Sequence, residues 1–195
     1  MTVRSRNLIF VLIVVAASFG IGKMLFSQSK SVPVEFFQSR AESGRLAEKI
    51  TSFLTNSLDR LDQVAQYDKV GRIQEAIKII EGQVSSAKEN DLNSLLLATQ
   101  LETLARAAQT IRPDQARQIA VEAVSNEVAL VSRMIVYNTE LKDLFQLLNE
   151  KFTGQRAAKS QEVQNLILQL NDLANGINDL NYKFNNGMKQ LDEGF

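Results

Sequence analysis

Residues 163–191, VQNLILQLNDLANGINDLNYKFNNGMKQL, carry the most regular hydrophobic pattern in the chain. Apolar side chains recur every seven residues in two interleaved series, which is typical of a helix that packs along one seam. We therefore predict a long heptad helix over residues 155–193 that packs back on the rest of the protein, and Gly187 interrupts its repeat. The pattern leaves open whether this stripe is used within one chain or between chains. The helix-association stripe consists of Val163, Leu166, Leu170, Leu173, Ile177, Leu180, Phe184 and Leu191.

The rest of the 195-residue chain also favours helices. Only nine glycines and two prolines interrupt it, and no segment shows the period-two alternation of a half-buried strand. The sequence therefore predicts an all-α fold: an N-terminal single transmembrane helix followed by an elongated helical bundle with long coiled-coil-like helices. We place this bundle in residues 33–153 and expect about four helices there.

The boundaries of those four helices follow from breaks in the apolar spacing. The first helix begins at Pro33 and ends before residues 67–71, where the phase of the pattern changes. Asp91 is a candidate N-cap that would separate a second helix from a third. Pro113 opens the fourth helix, and Gly154 offers it a C-terminal stop.

Two features of these helices suggest specific positions in the bundle. The third helix carries apolar residues over a wide arc that includes Leu92, Leu95 and Leu96, so we predict that it lies at the centre. Asn138 falls on the apolar stripe of the fourth helix. It either fixes the register of a coiled coil or lies partly exposed with hydrogen bonds of its own.

The N-terminal segment is the clearest candidate for a membrane anchor. Residues 8–26 would span about 28 Å as a helix, close to the thickness of the bilayer hydrocarbon. We predict a cytoplasmic N-terminus at residues 1–7, a transmembrane anchor at 8–26 that contacts the lipid bilayer, and a linker at 27–32. The membrane-anchor residues are Leu8, Ile9, Phe10, Val11, Leu12, Ile13, Val14, Val15, Phe19, Ile21, Leu25 and Phe26.

A cleavable signal peptide is the alternative interpretation of the same segment. Arg4 and Arg6 precede the apolar run, and Ala16-Ala17-Ser18 offers small residues for cleavage. An uncleaved anchor is favoured because apolar residues continue through Phe26. Both interpretations place the rest of the chain outside the cytoplasm, either as a single-pass protein of the cell membrane or as a secreted or periplasmic one.

Composition excludes several kinds of chemistry. The chain has no cysteine and no histidine, so it lacks the usual thiolate and imidazole ligands and the commonest general base. Residues 31–195 carry a net charge of −4, because four basic residues and no acidic ones precede them, and a net negative domain does not favour nucleic acid. We expect no catalytic residues, no metal and no cofactor, and no small-molecule substrate is evident.

Two functional hypotheses remain after these exclusions. The first is a non-enzymatic structural or adaptor protein of a bacterial cell envelope, which binds a protein partner or a second copy of itself through its helices. The alternative is an extracytoplasmic ligand-sensing or solute-binding bundle that signals through a separate membrane partner. The regular terminal stripe favours the first hypothesis.

Overall fold

The computed structural model describes residues 32–154 and 160–194, and 92% of these described residues are helical with no strand among them. There are four α-helices in this part of the chain: α1 Val34–Lys69, α2 Ile73–Ala108, α3 Asp114–Phe152 and α4 Ser160–Gly194. Each has between 35 and 39 residues, so each is about 50–60 Å long at the usual rise per residue. The predicted all-α helical bundle is confirmed.

Prolines and glycines fall at the helix boundaries. Pro33 and Pro113 directly precede the first residues of α1 and α3, where a missing backbone N–H costs no helical hydrogen bond. Gly71, in the turn after α1, has φ +76°, and Gly154, after α3, has φ +72°. Glycine adopts this left-handed conformation without the steric penalty of a Cβ atom, which allows the chain to reverse in few residues.

Successive helices run antiparallel, and each packs along the next one in the chain. Apolar residues from all four helices form one continuous core. The first and last helices meet at one end, where the Arg40 guanidinium donates two hydrogen bonds of 2.8 and 2.9 Å to the Asp192 carboxylate. At the opposite end the Lys151 ammonium lies 3.3 Å from the Asp68 carboxylate, which joins α3 to α1.

The second and third helices predicted within residues 33–153 are a single helix, so that part of the prediction is wrong. Asp91 does not cap a new helix, because α2 continues through it without interruption. The polar residues that suggested a break have another role: the Asn90 side chain is buried, and Asp91 bonds to α3. No proline or glycine lies between Lys88 and Asn93 to end the helix.

The C-terminal half of α2 does not lie at the centre of the bundle, which contradicts the prediction from its wide apolar arc. Leu92, Leu95 and Leu96 are 63%, 65% and 55% exposed, whereas Leu97 and Leu101 are buried. One side of α2 therefore packs in the core, and the opposite side presents leucines to solvent. The sequence alone could not distinguish a helix buried on all sides from one with an apolar outer face.

The predicted membrane anchor at residues 8–26, the residues 1–7 before it and most of the 27–32 linker lie outside the described residues. Within residues 32–154 and 160–194, no helix has an apolar stretch long enough to cross a bilayer.

Candidate association surface

The terminal heptad stripe lies against the core of its own chain. Four of its eight residues are buried and the other four pack against the core as partly buried side chains. One of the two predicted series is buried, but the other is shifted by one residue, because Ile167, Ala174 and Met188 are buried where Leu166 and Leu173 are only partly so. Of these three buried residues only Ala174 is smaller than the leucines that the heptad pattern favoured.

Gly187, where the heptad repeat fails, is a point of close packing between α4 and α3. A Cβ atom at this position would lie 2.8 Å from the Cβ of Ala123, a separation that real Cβ atoms do not adopt. The absent side chain therefore lets the two helix backbones approach. The gap in the repeat is a packing requirement of the bundle, and the sequence pattern alone reads it as an interruption.

A layer of polar side chains joins α2 to α3 near the middle of both helices. The Asn90 amide donates a hydrogen bond of 3.1 Å to the Asn138 carbonyl, and the Asn138 amide donates one of 2.5 Å to the Asp91 carboxylate. The Lys142 ammonium lies 3.2 Å from the other oxygen of Asp91. Since Asn90 and Asn138 are both buried, sliding α2 along α3 would leave polar groups unsatisfied. This layer fixes the relative height of the two helices.

The outer side of α2 presents apolar residues to solvent at the height of this layer. Leu92 and Leu95 are about one helical turn apart, and both lie on the side of α2 opposite its buried residues. Six residues at alternating spacings of four and three form a single line along this side, and we call it the α2 outer line. It consists of Lys88, Leu92, Leu95, Thr99, Glu102 and Arg106.

The outer side of α3 differs from that of α2 because its central residues are small. The α3 outer line has spacings of three or four residues and consists of Glu122, Ser125, Ala129, Ser132, Val136 and Glu140. Every member but Glu140, which is partly exposed, is exposed. Three further exposed apolar residues are Val121, Val128 and Ile135. They recur every seven residues and so lie on the same side of α3 as Lys142, whose ammonium contacts α2. They mark the edge of α3 that borders α2.

The two outer lines lie on neighbouring helices, each on the side opposite the buried residues of its helix, and we call them together the α2–α3 face. It combines protruding leucines on one helix with serine and alanine on the other. Soluble single-chain bundles expose scattered apolar residues, but a contiguous cluster of them marks an interaction site. Neither outer line was singled out in the sequence, because the spacing of α2 predicted burial for its leucines.

Glu127 is a buried acidic residue in the core near the Arg40–Asp192 contact. Its side chain is 0% exposed, and neither carboxylate oxygen has a hydrogen-bond partner within the described part of the chain. Burial raises the pKa of Glu127 well above its ordinary value, and the positive charge of Arg40 opposes this only in part. The carboxyl group therefore keeps its proton to a higher pH than an exposed glutamate does.

The described residues contain no cluster of side chains that could hold a metal ion. No group of three or more acidic residues within 32–154 and 160–194 is placed to hold a metal ion. A shallow depression lies between α3 and α4, lined by Asp143, Leu147, Glu162 and Leu166 among others, and it is open to solvent. Small-molecule sites are usually enclosed and bury most of their ligand, so this depression is a poor one.

Comparison of the chain with family models, with curated proteins and with solved structures finds no match. The functional argument therefore rests on the residues of this chain.

Proposed function

We propose that the protein is a non-enzymatic, membrane-anchored structural or adaptor protein that acts outside the cytoplasm by helix-mediated association with a protein partner or a second copy of itself. The observation that carries this proposal is the α2–α3 face. Leu92 and Leu95 are more than 60% exposed in a bundle that buries the apolar stripes of its other helices. Exposing two adjacent leucines forgoes burial worth about 1.5–3 kcal/mol for each, which a binding surface would recover.

The anchor part of the proposal rests on the apolar run of residues 8–26 and on the basic residues before it. Fractionation of cells that express the full chain tests it directly. We expect the protein in the membrane fraction after a carbonate wash, and its N-terminal sequence should begin within residues 1–7. Protease added to spheroplasts should degrade the bundle, because both interpretations of the segment place it outside the cytoplasm.

A mature protein that begins near Ser18 and leaves the membrane would instead establish the cleaved signal peptide. A bundle that resists protease in intact spheroplasts and is digested only after lysis would contradict the proposed location.

The adaptor part of the proposal is supported by the chemistry of the chain as well as by the α2–α3 face. The absence of histidine and cysteine removes the most frequent catalytic groups, and the depression between α3 and α4 is open. These observations favour association over catalysis and over ligand sensing. Affinity purification of the full chain from detergent-solubilised membranes, compared with a Leu92→Ser/Leu95→Ser variant, tests it. A co-purifying protein, or a second tagged copy, should be lost with the variant and retained with the exposed control Leu168→Ser.

A further inference from the structure

We infer that the α2–α3 face binds a second copy of the same chain, with a two-fold axis parallel to the helices, so that α2 of one copy packs on α3 of the other. This inference rests on the proposed function, because it takes both copies to be anchored in one membrane. A two-fold axis parallel to the helices keeps the two α1 N-termini at the same end. An antiparallel arrangement of the copies would separate them by about one helix length, roughly 54 Å for 36 residues.

The heights of the two outer lines are matched by the polar layer between α2 and α3. The hydrogen bond between Asn90 and Asn138 places these two residues at the same height along the bundle. Because α2 and α3 are antiparallel, a step toward the C-terminus of α2 matches an equal step toward the N-terminus of α3. Leu92 therefore lies at about the height of Val136, and Leu95 at about the height of Ser132. Rotation about an axis parallel to the helices preserves height, so the leucines of one copy face these residues of the other.

The side chains at these matched heights are compatible: one pair is apolar, and the other joins a large side chain to a small one. Leu95 protrudes at the height of Ser132, which is small and exposed, and Leu92 lies at the height of Val136, an exposed apolar residue. Large side chains that meet small ones allow two helices to approach and fill the space between them, as facing layers of a bundle do. The same operation repeats this contact on the other side of the axis, which makes the surface self-complementary.

The charges at the two ends of the outer lines are also complementary. Lys88 lies at about the height of Glu140, and Arg106 at about the height of Glu122. The proposed arrangement thus brings a basic residue of α2 near an acidic residue of the other copy's α3 at both ends of the apolar centre. Such exposed pairs add little affinity, but they select the orientation and the partner.

The extent of the face explains why anchoring matters to this dimer. From Lys88 to Arg106 the helix advances about 27 Å, and two packed helices are about 20 Å wide. The resulting area of about 540 Å² per copy is smaller than the roughly 800 Å² per partner of a standard stable interface. We therefore expect weak association in dilute solution, and stronger association when two copies share a membrane and a high local concentration.

Cysteine cross-linking tests the arrangement, because the chain has no cysteine of its own. Full-length Leu95→Cys with one epitope tag is co-expressed with Ser132→Cys carrying another, and membranes are oxidised mildly. We expect a disulfide-linked dimer that contains both tags. Ala129→Cys and Val136→Cys, about one turn to either side, bracket the predicted height. Co-expression of Leu168→Cys with Ser132→Cys is the matched control, because Leu168 is 55% exposed on α4, and it should give no such product.

The results distinguish this inference from its alternatives. One outcome would favour contact between the two α2 helices and overturn the inference: Leu95→Cys expressed alone forms a disulfide-linked dimer, and its co-expression with Ser132→Cys gives no dimer that contains both tags. The absence of any dimer in membranes that contain both variants would overturn it as well, as would a cross-link to a protein of different mass. Circular dichroism of each variant must show unchanged helix content for these results to count.

The anchor is tested separately in the same preparation. If the protein is absent from the membrane fraction, the proposed anchoring is wrong, and the concentrated soluble protein is then oxidised. The mixed product in that sample would support the α2–α3 dimer without the anchor, and its absence there would overturn the dimer.

Discussion

Replacing Glu127 with glutamine should remove a specific pH dependence from the free energy of unfolding. Glu127 is fully buried, and desolvation raises its pKa above the ordinary value of 4.5. Between the unfolded pKa and this higher folded pKa, the folded state holds a proton that the unfolded state has lost. The contribution of Glu127 is therefore fully present below about pH 4, and it is lost as the pH rises through the folded pKa.

The magnitude follows from linkage. One proton bound in the folded state and not in the unfolded state lowers the free energy of unfolding by about 1.4 kcal/mol for each pH unit. For a chain of this size that corresponds to a fall of roughly 3–6 °C in Tm for each pH unit. Glutamine has nearly the same shape as glutamic acid and cannot ionise, so the variant should lack this fall and exceed the wild type in stability at pH 8.

The assay is thermal or urea unfolding of both proteins from pH 4 to pH 9, with the difference between them plotted against pH. The difference isolates Glu127, because exposed acids such as Glu42 and Glu75, whose pKa values are lowered by hydrogen bonds to arginines, contribute equally to both. Glu122→Gln, on the exposed side of the same helix, is the control and should follow the wild type. A difference between wild type and Glu127→Gln that stays constant from pH 5 to pH 8 would refute the reasoning.

Three further substitutions test the packing of the bundle by chemical unfolding. Gly187→Ala should destabilise by about 1–3 kcal/mol, because the helices must move apart, whereas Gly82→Ala, which has open space at its Cβ position, should stabilise by roughly 0.5–1 kcal/mol; equal effects would contradict the close contact. Leu170→Ala should cost about 2–5 kcal/mol, because its side chain is 0% exposed. Leu168→Ala, two residues away and exposed, should cost less than about 0.5 kcal/mol. If the two variants lost similar stability, α4 would not present Leu170 to the core and Leu168 to solvent. Asn138→Ala should cost about 1–3 kcal/mol because it leaves buried partners without a hydrogen bond, and no loss would mean that the polar layer does not stabilise the pairing of α2 with α3.

The long helices were predictable from the sequence because their determinants are local. Helix formers fill the chain, and Pro33, Pro113 and Gly154 lie where helices begin or end. These signals depend on a residue and its neighbours within two turns, so no tertiary information was needed.

The association surface was not predictable, because it depends on which helices become neighbours. Asp91 has the chemistry of an N-cap, and only the position of Asn138 on α3 shows that it bonds across the bundle. The exposed leucine at position 92 has the same spacing to its neighbours as a buried one would have. Gly187 likewise reads as a defect until Ala123 is known to face it. The residues that contact Asp91 and Gly187 lie more than 45 residues away in the chain.

Because the described bundle has four antiparallel helices, its chain starts and ends at the same end, and the length of α1 gives a fixed distance for comparison. Arg40 and Asp192 are 152 residues apart in the chain and yet in direct contact, while Lys69 lies about 44 Å from Arg40 along the single helix α1. Fluorescent labels at positions 40 and 69 would report a distance that only unfolding of α1 could change. Labels at positions 40 and 192 would report whether the first and last helices remain together. The ratio of the two signals would separate opening of the bundle from melting of its helices in a membrane-bound sample.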